Sequence, residues 1–283
     1  MRQMLPIAQT HDVVVPPVAL HLEIGVENVC KSFGDKSVFR GINLDVPGGQ
    51  MVAVIGGSGS GKTTLLKLLT AQERPDQGHV KVADHETTGA PLVDLAGLDE
   101  AHLNRLRRHW AIVFQGNALF SGTVFDNLAF GLRNIEQMDE QSIRKRVTDM
   151  MQSVELDADK DLQLDVDQLS GGMAKRVAIA RALAMDPIVI FYDEPTSGLD
   201  PRLMADIQEL ILAVHLRRPE CNTLRTSIII THDRDLLRRL QPRIVMLSEG
   251  RICFDDNYDA FARSNSPIIR PYYELMPILH QLH

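Results

Sequence analysis

The sequence predicts an α/β fold in which helices cover the faces of a mainly parallel β-sheet. Short apolar runs that suit buried strands alternate along the chain with helix-forming segments. The run at residues 50–55 leads directly into a glycine-rich stretch and then into a helix-like segment. The 283 residues have an ordinary globular composition, with 44% hydrophobic and 24% charged residues. This length predicts one large domain or one domain with elaborations.

The first third of the chain predicts strands of two kinds. Alternation of apolar and polar residues indicates half-buried strands at residues 21–30, 42–46 and 79–82. Residues 50–55 form a continuous apolar run, which indicates a strand buried on both faces. Polar sequence at 84–90 predicts a loop. Residues 1–20 contain three prolines and no regular period, and we expect a flexible arm there.

The rest of the chain alternates helices and strands. Residues 98–109 predict a helix whose arginines, near its C-terminal end, complement the helix dipole. Apolar residues at helical spacing predict a mostly helical stretch over about 124–156. Continuous apolar runs predict buried strands at 110–114, 188–192, 227–230 and 244–247. A turn at 249–251 is expected to join the last of these strands to residues 252–254 in a hairpin.

The charge balance argues against a nucleic-acid partner. The chain carries 30 Lys and Arg against 37 Asp and Glu, a net charge of −7, so it has no global positive field. Its basic stretches are interpreted as solvated helix faces, and they lie at residues 105–109, 144–146 and 238–239. No window approaches about 18 unbroken apolar residues, and we expect that the chain neither spans a membrane nor is exported. The three cysteines form no C-x-x-C pair and are expected to be reduced thiols.

The segment from Gly56 to Thr63, GGSGSGKT, matches the phosphate-loop pattern G-x-x-x-x-G-K-[ST] in full. Glycines let the backbone curl so that successive N–H groups point at an anion. The following helix adds about half a positive charge at its N-terminus. Lys62 is placed to reach the β- and γ-phosphates, and the Thr63 hydroxyl to ligate Mg²⁺. The residues expected to bind the nucleotide here are Gly56, Gly57, Ser58, Gly59, Ser60, Gly61, Lys62, Thr63 and Thr64.

Two acids follow the apolar run at 188–192. Asp193 ends that strand at the carboxyl edge of the predicted sheet, where nucleotides bind in such folds. There it is expected to hold the water shell of Mg²⁺. Glu194 follows at once, and two adjacent side chains at a strand end point in different directions. One acid is therefore expected to serve the metal and the other a water molecule, and two merely solvated acids are the alternative.

A second loop resembles the signature loop of the ABC-type ATPases. Residues 169–173 read LSGGM, and Ser170 lies 23 residues before Asp193, a spacing typical of that family. Met173 stands where the family usually has glutamine. The resemblance covers about residues 21–257. The other family elements occur in order, with Phe33 at the adenine-stacking position, Gln115 in the Q-loop, Ser197–Asp200 as the D-loop and His232 as the switch histidine.

The resemblance implies a fold of three parts and a paired mode of action. The parts are a RecA-like P-loop NTPase core with a mainly parallel sheet, an antiparallel β subdomain and an inserted α-helical subdomain at about 116–170. The ATPase domain is expected at 21–257 and a C-terminal extension at 258–283. In the family's geometry, one chain cannot bring its phosphate loop and its signature loop onto the same ATP. Two copies are therefore expected to pair head to tail around two ATP molecules.

The same resemblance implies a role for each site residue. Glu194 is expected to act as general base or to orient the attacking water, and His232 to contact the γ-phosphate. Gln115 is expected to approach Mg²⁺ and the water, while Asp200 acts across the dimer. The signature residues are expected to offer N–H groups and a hydroxyl to the γ-phosphate, and they are Ser170, Gly171 and Gly172. The catalytic set is Lys62, Gln115, Glu194 and His232, and the metal set is Thr63, Gln115 and Asp193.

The region after Gln115 is similar to that of the Mla-type ATPases, which energise phospholipid transport alongside MCE lipid-binding proteins. Residues 114–120 (FQGNALF) and 124–130 (VFDNLAF) carry this similarity, whereas residues 116–117 and Gly131 depart from it. It implies permease subunits, an MCE-type protein and an accessory regulator as partners, and a peripheral position at the cytoplasmic face of the inner membrane. Two alternatives stay open: the ATPase of an importer for a small polar solute, and a soluble ABC switch in translation or DNA repair.

The C-terminal segment at 266–279 is apolar and interrupted by prolines, so no long helix is expected there. An exposed apolar strip of this kind is unusual. It is expected to pack either on a second subunit or an accessory protein, or on its own domain. His280 and His283 are too few ligands to predict a metal site.

Overall fold

The computed structural model describes residues 21–276, so the expected arm at 1–20 and the histidines at 280 and 283 lie outside the described residues. The strands are β1 (Leu22–Phe33), β2 (Lys36–Pro47), β3 (Met51–Gly56), β4 (Gln77–Ala83), β5 (Leu92–Asp94), β6 (Trp110–Val113), β7 (Val189–Asp193), β8 (Thr226–Ile230), β9 (Arg243–Ser248) and β10 (Arg251–Asn257). The helices are α1 (Lys62–Leu69), α2 (Glu100–Arg107), α3 (Val124–Asn134), α4 (Glu140–Ser153), α5 (Ala158–Asp161), α6 (Gly171–Ala184), α7 (Pro201–Leu216), α8 (Arg234–Leu240), α9 (Tyr258–Ala262) and α10 (Ile269–Leu275).

The larger sheet has six strands in the order β10-β9-β3-β8-β7-β6. Its pairs are parallel except for the hairpin of β9 and β10. All of β3 and β8 is buried, because helices cover both faces, and this explains their continuous apolar runs. The carboxyl ends of β3, β7 and β8 meet at one edge of the sheet. The phosphate loop, the two acids after β7 and His232 are therefore brought to the same edge.

The smaller sheet is antiparallel and has the order β2-β1-β4-β5. Its apolar side chains, Ile24 and Val26 among them, pack with α1 against one face of the larger sheet. The other face of the larger sheet is covered by α6 and α7, with α3 and α4 beyond them. The three-residue strand β5 was not predicted, because its side chains are only half-buried and a run so short has no readable alternation.

The helical stretch predicted over 124–156 is divided into α3 and α4. Thr123 and Asp126 form a capping box at the start of α3. Asp139 caps α4 by accepting hydrogen bonds from the backbone N–H groups of Gln141 and Ser142. The aspartate at 139 therefore starts a new helix rather than continuing the first. Within residues 21–276, no helix is long and apolar enough to cross a bilayer.

The described part of the C-terminal tail packs on its own chain. Ile269 and Met276 are buried in the same core as α6 and α7. The helix α10 between them has only seven residues, as the prolines predict. Ile268 and Leu275 remain exposed, so the tail still presents apolar surface. Packing on its own domain, one of the two expected arrangements, accounts for residues 269–276.

A partly buried histidine near the end of α7 makes stability depend on pH. His215 Nδ1 lies 3.0 Å from Ser227 Oγ, and burial, followed by the charge of Arg225, lowers its pKa to about 4. The unfolded chain binds this proton near pH 6.5 and the folded chain does not. Stability is therefore complete above about pH 6.5 and is lost as the pH falls toward 4.

We expect His215→Gln to remove this part of the pH dependence. The wild-type chain should lose on the order of 3 kcal/mol of unfolding free energy through this group between about pH 7 and pH 4. Urea unfolding across that range measures the loss in each chain. Ser227→Ala is the comparison, because it removes the hydroxyl beside His215 Nδ1 but keeps the imidazole, so the pH dependence should remain. Equal slopes for wild type and His215→Gln would contradict this account of the His215 imidazole.

Candidate functional site

The phosphate loop between β3 and α1 has a backbone that requires glycine. Gly59 and Gly61 have φ values of +77° and +103°, which disfavour any residue with a Cβ. A Cβ on Gly61 would also lie 2.7 Å from the ring of Phe39. At Gly57, by contrast, a Cβ would meet no atom within 4 Å. The loop therefore packs tightly against Phe39 at Gly61, whereas there is open space beside Gly57.

Two polar side chains of this loop lack the partners that a phosphate would supply. Lys62 Nζ donates to the carbonyl oxygens of Gly56 at 2.8 Å and Gly57 at 3.1 Å. Burial lowers the pKa of Lys62, while Glu194 and Asp193 oppose this effect. The buried Ser60 hydroxyl has no hydrogen-bond partner among the described residues. A buried hydroxyl and a lysine that bonds only carbonyls fit an anionic phosphate ligand.

The two acids after β7 differ in their surroundings. Burial raises the pKa of Asp193, against the charges of Lys62 and Lys175. Glu194 adopts φ +47°, a left-handed conformation that is uncommon for glutamate and turns the chain at the strand end. Its Oε1 lies 2.8 Å from His232 Nδ1. The two acids therefore have different surroundings, and the separation of their roles stays a prediction.

A cavity of about 180 Å³ lies beside the Glu194–His232 pair, and residues 196–199 form much of its wall. Gln115 contacts one of these residues, because its Nε2 donates to Ser197 Oγ at 3.1 Å. The structure therefore joins Gln115 to the D-loop, and its amide oxygen is left to approach a metal. Thr63, Asp193 and Gln115 offer hydroxyl, carboxylate and amide oxygens, the donor type that Mg²⁺ prefers, and their role as metal ligands stays a prediction.

Lys175 is a site residue that the sequence analysis missed. It lies on α6 and is almost fully buried, and its Nζ donates to the carbonyl oxygens of Phe114 and Gln115 at 3.1 and 2.9 Å. Burial lowers its pKa to about 8, although Asp193 opposes the shift. Lys175 thus fixes the start of the Q-loop. The sequence contained one signal for this role: Lys175 is the single lysine in a helical segment of mostly apolar residues.

The signature loop opens α6, and its contacts are separate from those of the phosphate loop. Ser170 Oγ accepts a hydrogen bond from the N–H of Met173 and caps the helix. Gly171 has open space around it, whereas a Cβ on Gly172 would lie 2.8 Å from Leu203. Among the described residues, no hydrogen bond or ion pair connects residues 170–172 with residues 56–63. Asp200 caps α7 by accepting hydrogen bonds from the backbone N–H groups of Arg202 and Leu203.

Phe33 lies at the exposed end of β1. Lys31 Nζ is 5.0 Å from the centre of its ring and approaches it as a cation. The ring therefore offers an aromatic surface, as adenine stacking requires, on the antiparallel sheet. Whether adenine stacks there stays a prediction, as do the roles of Lys62, Glu194, His232 and Gln115.

Tyr272 is a second residue that the sequence did not reveal. Its hydroxyl accepts a hydrogen bond at 3.1 Å from the backbone N–H of Gly56, the first residue of the phosphate loop. Burial raises the pKa of Tyr272, so the neutral phenol is maintained. The C-terminal helix α10 is thus tied to the nucleotide site of its own chain.

We expect Tyr272→Phe to lower the free energy of unfolding by about 1–2 kcal/mol, because it leaves the Gly56 N–H without this partner. ATP affinity should fall in parallel, since the loop loses an anchor. The matched control is Tyr192→Phe, because the buried hydroxyl of Tyr192 has no hydrogen-bond partner among the described residues. Chemical unfolding and nucleotide titration of both variants test this, and equal effects would contradict it.

The chain is similar to ATP-binding subunits of known transporters. The profile of the ABC transporter family matches residues 39–197. The sulfate/thiosulfate import ATP-binding protein CysA of Escherichia coli (strain K12) is 35% identical over 92% of this chain and 67% of that protein. CysA of Nephroselmis olivacea is 35% identical over 82% of this chain, which spans only 62% of that protein. The L-cystine import ATP-binding protein TcyN of Bacillus subtilis (strain 168) is 37% identical over 81% of this chain and 83% of that protein.

Solved structures show the same fold. The structure of cbiO1 from Clostridium perfringens, part of the ABC transporter complex cbiONQ, gives a TM-score of 0.72 at 30% identity, covering 86% of this chain and 91% of that one. A dimeric ATP-binding cassette, MJ0796, in a post-hydrolysis state bound to ADP and Pi gives 0.69 at 29% identity, covering 83% and 98%. These likenesses confirm the predicted fold class. The names of the three relatives describe import, which differs from the predicted lipid transport.

Proposed function

Because the chain belongs to the ABC transporter family, we propose that it is an ATP-hydrolysing subunit that drives separate membrane subunits. The observation that carries this proposal is the meeting of three loops at one sheet edge. They bring the phosphate-loop lysine Lys62 together with the Glu194–His232 pair, whose side chains lie 2.8 Å apart. This arrangement suits phosphoryl transfer from a nucleotide to water.

In this proposal each residue of the chain has a defined task. The phosphate loop and Lys62 bind the phosphates, and Phe33 stacks on the adenine. Glu194 accepts a proton from the attacking water, while His232 holds the Glu194 carboxylate in place. Thr63, Asp193 and Gln115 would hold Mg²⁺, which when bound neutralises charge that develops on the phosphoryl oxygens.

The proposal includes a second copy of the chain. The signature loop at 170–172 has a helix N-terminus and open space at Gly171, but no contact with the phosphate loop of its own chain. A partner copy would place it against the γ-phosphate. The similar cassette MJ0796 is a dimer in its post-hydrolysis state with ADP and Pi, which supports this arrangement.

The inserted helices carry a surface suited to a membrane subunit. Phe120 and Phe130 are 37% and 53% exposed, and their rings lie 5.3 Å apart. Ile135, which directly follows α3, is also exposed. Large apolar side chains grouped at a surface favour a protein partner. We place the permease subunits here, so the chain would lie peripherally at the cytoplasmic face of the inner membrane.

Phe130→Ala is expected to weaken capture of the membrane subunit by about tenfold or more, since aromatic anchors dominate such contacts. ATP affinity should not change, because Phe130 lies outside the nucleotide site. The matched control is Leu216→Ala, which removes an exposed apolar side chain from the end of α7. Capture from detergent-solubilised membranes, quantified against wild type, measures the effect. Equal capture by both variants would contradict this location of the interface.

Two substrate classes follow from different observations. The sequence at 114–130 and the LSGGM signature support phospholipid transport, with an MCE-type protein and an accessory regulator as further partners. The import names of CysA and TcyN support a small polar solute. We propose the phospholipid as substrate and the polar solute as the second candidate.

Reconstitution distinguishes the two. The complex captured with the chain is placed in vesicles, and transfer of labelled phospholipid and uptake of sulfate and cystine are measured with and without ATP. ATP-dependent phospholipid transfer supports the first candidate, and solute uptake without lipid transfer supports the second. A captured chain that brings no membrane subunit contradicts both.

A further inference from the structure

Two histidines and one glutamate meet where the start of β1 lies beside the turn between β4 and β5. This place is far from the nucleotide site. Glu23 is on β1, His21 directly precedes that strand, and His85 is in the turn between β4 and β5. His21 Nε2 lies 3.0 Å from Glu23 Oε2, and His85 Nε2 lies 2.8 Å from Glu23 Oε1. We name these three residues the His–Glu–His cluster.

The glutamate of this cluster is buried without a permanent cation beside it. Glu23 is 1% exposed, and its side-chain hydrogen-bond partners among residues 21–276 are the two imidazoles. Burying a carboxylate is costly unless a positive charge compensates for it. No lysine or arginine in the described part of the chain forms an ion pair with Glu23. A cation bound between the two imidazoles and the carboxylate would supply the compensating charge.

We propose that the His–Glu–His cluster is a binding site for Zn²⁺. Two imidazole nitrogens and one carboxylate are a ligand set that zinc favours over Mg²⁺ and Ca²⁺, which prefer oxygen. The three ligand atoms all lie within 4.8 Å of one another. Tetrahedral zinc, with bonds of about 2.0–2.2 Å, holds its ligand atoms roughly 3.4 Å apart. The separations of 3.0 and 2.8 Å join the two imidazoles to different oxygens of Glu23, and one ligand atom from each residue already lies within 4.8 Å of the other two. Side-chain rotation is therefore enough to bring the ligand atoms to the spacing of a zinc site.

The surroundings hold the ligands in place. The N–H of Gly48 donates to the carbonyl oxygen of His21 at 2.9 Å. A Cβ at Gly48 would lie 2.7 Å from the ring of His21, so glycine leaves the space that the imidazole occupies. The turn that carries His85 is fixed by Asp84, which accepts hydrogen bonds from Glu86 and Thr87. The backbone of His21 is thus held by its contact with Gly48, and that of His85 by its own turn.

The site has room for a fourth ligand. Glu23 and His85 are nearly buried, at 1% and 7% exposure, whereas His21 is 35% exposed. A cavity of about 440 Å³ borders both histidines and the 86–90 turn. Glu86 is engaged elsewhere, because its Oε1 lies 2.8 Å from His109 Nε2. A water molecule from the cavity would therefore complete the coordination.

The position of the site indicates a structural role. His21 contacts Gly48, which precedes β3, while the phosphate loop follows that strand. The six residues of β3 place the two sites roughly 20 Å apart. Zinc here would join the start of β1 to the turn after β4 without touching the nucleotide, and it would stabilise the folded chain by mass action.

The test is calorimetric titration of the full chain with Zn²⁺, after removal of metal and without nucleotide. We expect one Zn²⁺ per chain with a dissociation constant of about 1 μM or tighter, and a melting temperature that rises with zinc. Glu23→Gln and His85→Gln should each weaken binding by roughly 100-fold or more, since even residues that only support a ligand change affinity by up to that factor.

The controls are histidine–carboxylate pairs that lack a third ligand among residues 21–276. His79 Nδ1 lies 2.6 Å from Asp94 Oδ2, and His102 Nδ1 lies 2.7 Å from Asp99 Oδ1. His79→Gln and His102→Gln should leave zinc binding unchanged. A wild-type chain that binds no zinc in this range overturns the proposal, whether or not the variants fold. Binding that persists in both Glu23→Gln and His85→Gln overturns it as well, because the metal is then held elsewhere.

Discussion

Glu194→Gln is expected to lower the rate of ATP hydrolysis by at least about 100-fold, because it removes the group that accepts a proton from the attacking water. Glutamine keeps the shape of the side chain and its contact with His232, which lies 2.8 Å away. The phosphate loop is untouched, so ATP affinity should stay close to that of the wild-type chain. Steady-state phosphate release and nucleotide titration measure the two quantities separately.

Glu249→Gln is the matched control for this variant. Glu249 also has a left-handed backbone, with φ +50°, but it is exposed in the turn between β9 and β10. Its substitution should leave both hydrolysis and ATP affinity unchanged. Undiminished hydrolysis by Glu194→Gln would contradict the assignment of the general base.

Lys62→Ala is expected to weaken ATP binding itself by tenfold or more, since each about 1.4 kcal/mol of lost phosphate contact is worth a factor of ten. Within the described part of the chain, the ammonium group donates hydrogen bonds only to the carbonyl oxygens of Gly56 and Gly57. Its loss therefore removes hydrogen bonds within the loop and none to other parts of the described fold. The effect should appear in the dissociation constant rather than in unfolding.

Lys67→Ala provides the comparison, because Lys67 lies on the same helix, α1, and its side chain is exposed. Titration with ATP of both variants and the wild-type chain separates the contribution of Lys62 from that of net charge. Unchanged ATP affinity in Lys62→Ala would count against the phosphate-loop assignment.

The parts of the site that the sequence predicted depend on local constraints. Gly59 and Gly61 have backbone angles that glycine tolerates best, and their spacing from Lys62 is fixed by the turn that they make. Asp193 and Glu194 follow a strand whose apolar run marks its end. Such features lie within a few residues of one another, so they can be read without knowledge of the fold.

The residues that the sequence did not predict make contacts between distant segments. Lys175 bonds residues 60 and 61 positions away, and Tyr272 bonds Gly56 across 216 positions. Neither contact leaves a periodic pattern in the sequence. The His–Glu–His cluster was missed for the same reason, because His85 lies 62 positions after Glu23. Only the pairing of β1 with β4 brings them together.

The organisation in three parts was predicted through the family resemblance. The exact bounds of its helices and strands depend on helix caps and on a short strand. Thr123 and Asp139 each begin a helix, and together they divide the predicted helical stretch. Both residues are good N-caps that a reading based on apolar spacing alone passes over. The three-residue strand β5 is defined by its pairing with β4 and not by its own composition.

The central claim is that ATP is held by the phosphate loop of one copy and the signature loop of another. The most direct measurement is the molecular mass in solution of Glu194→Gln with and without ATP, together with that of the double variant Glu194→Gln/Ser170→Arg. The account predicts that ATP doubles the mass of Glu194→Gln and leaves the double variant as a single chain that still binds ATP. A Glu194→Gln chain that binds ATP without doubling its mass, or a double variant that dimerises equally well, would contradict it.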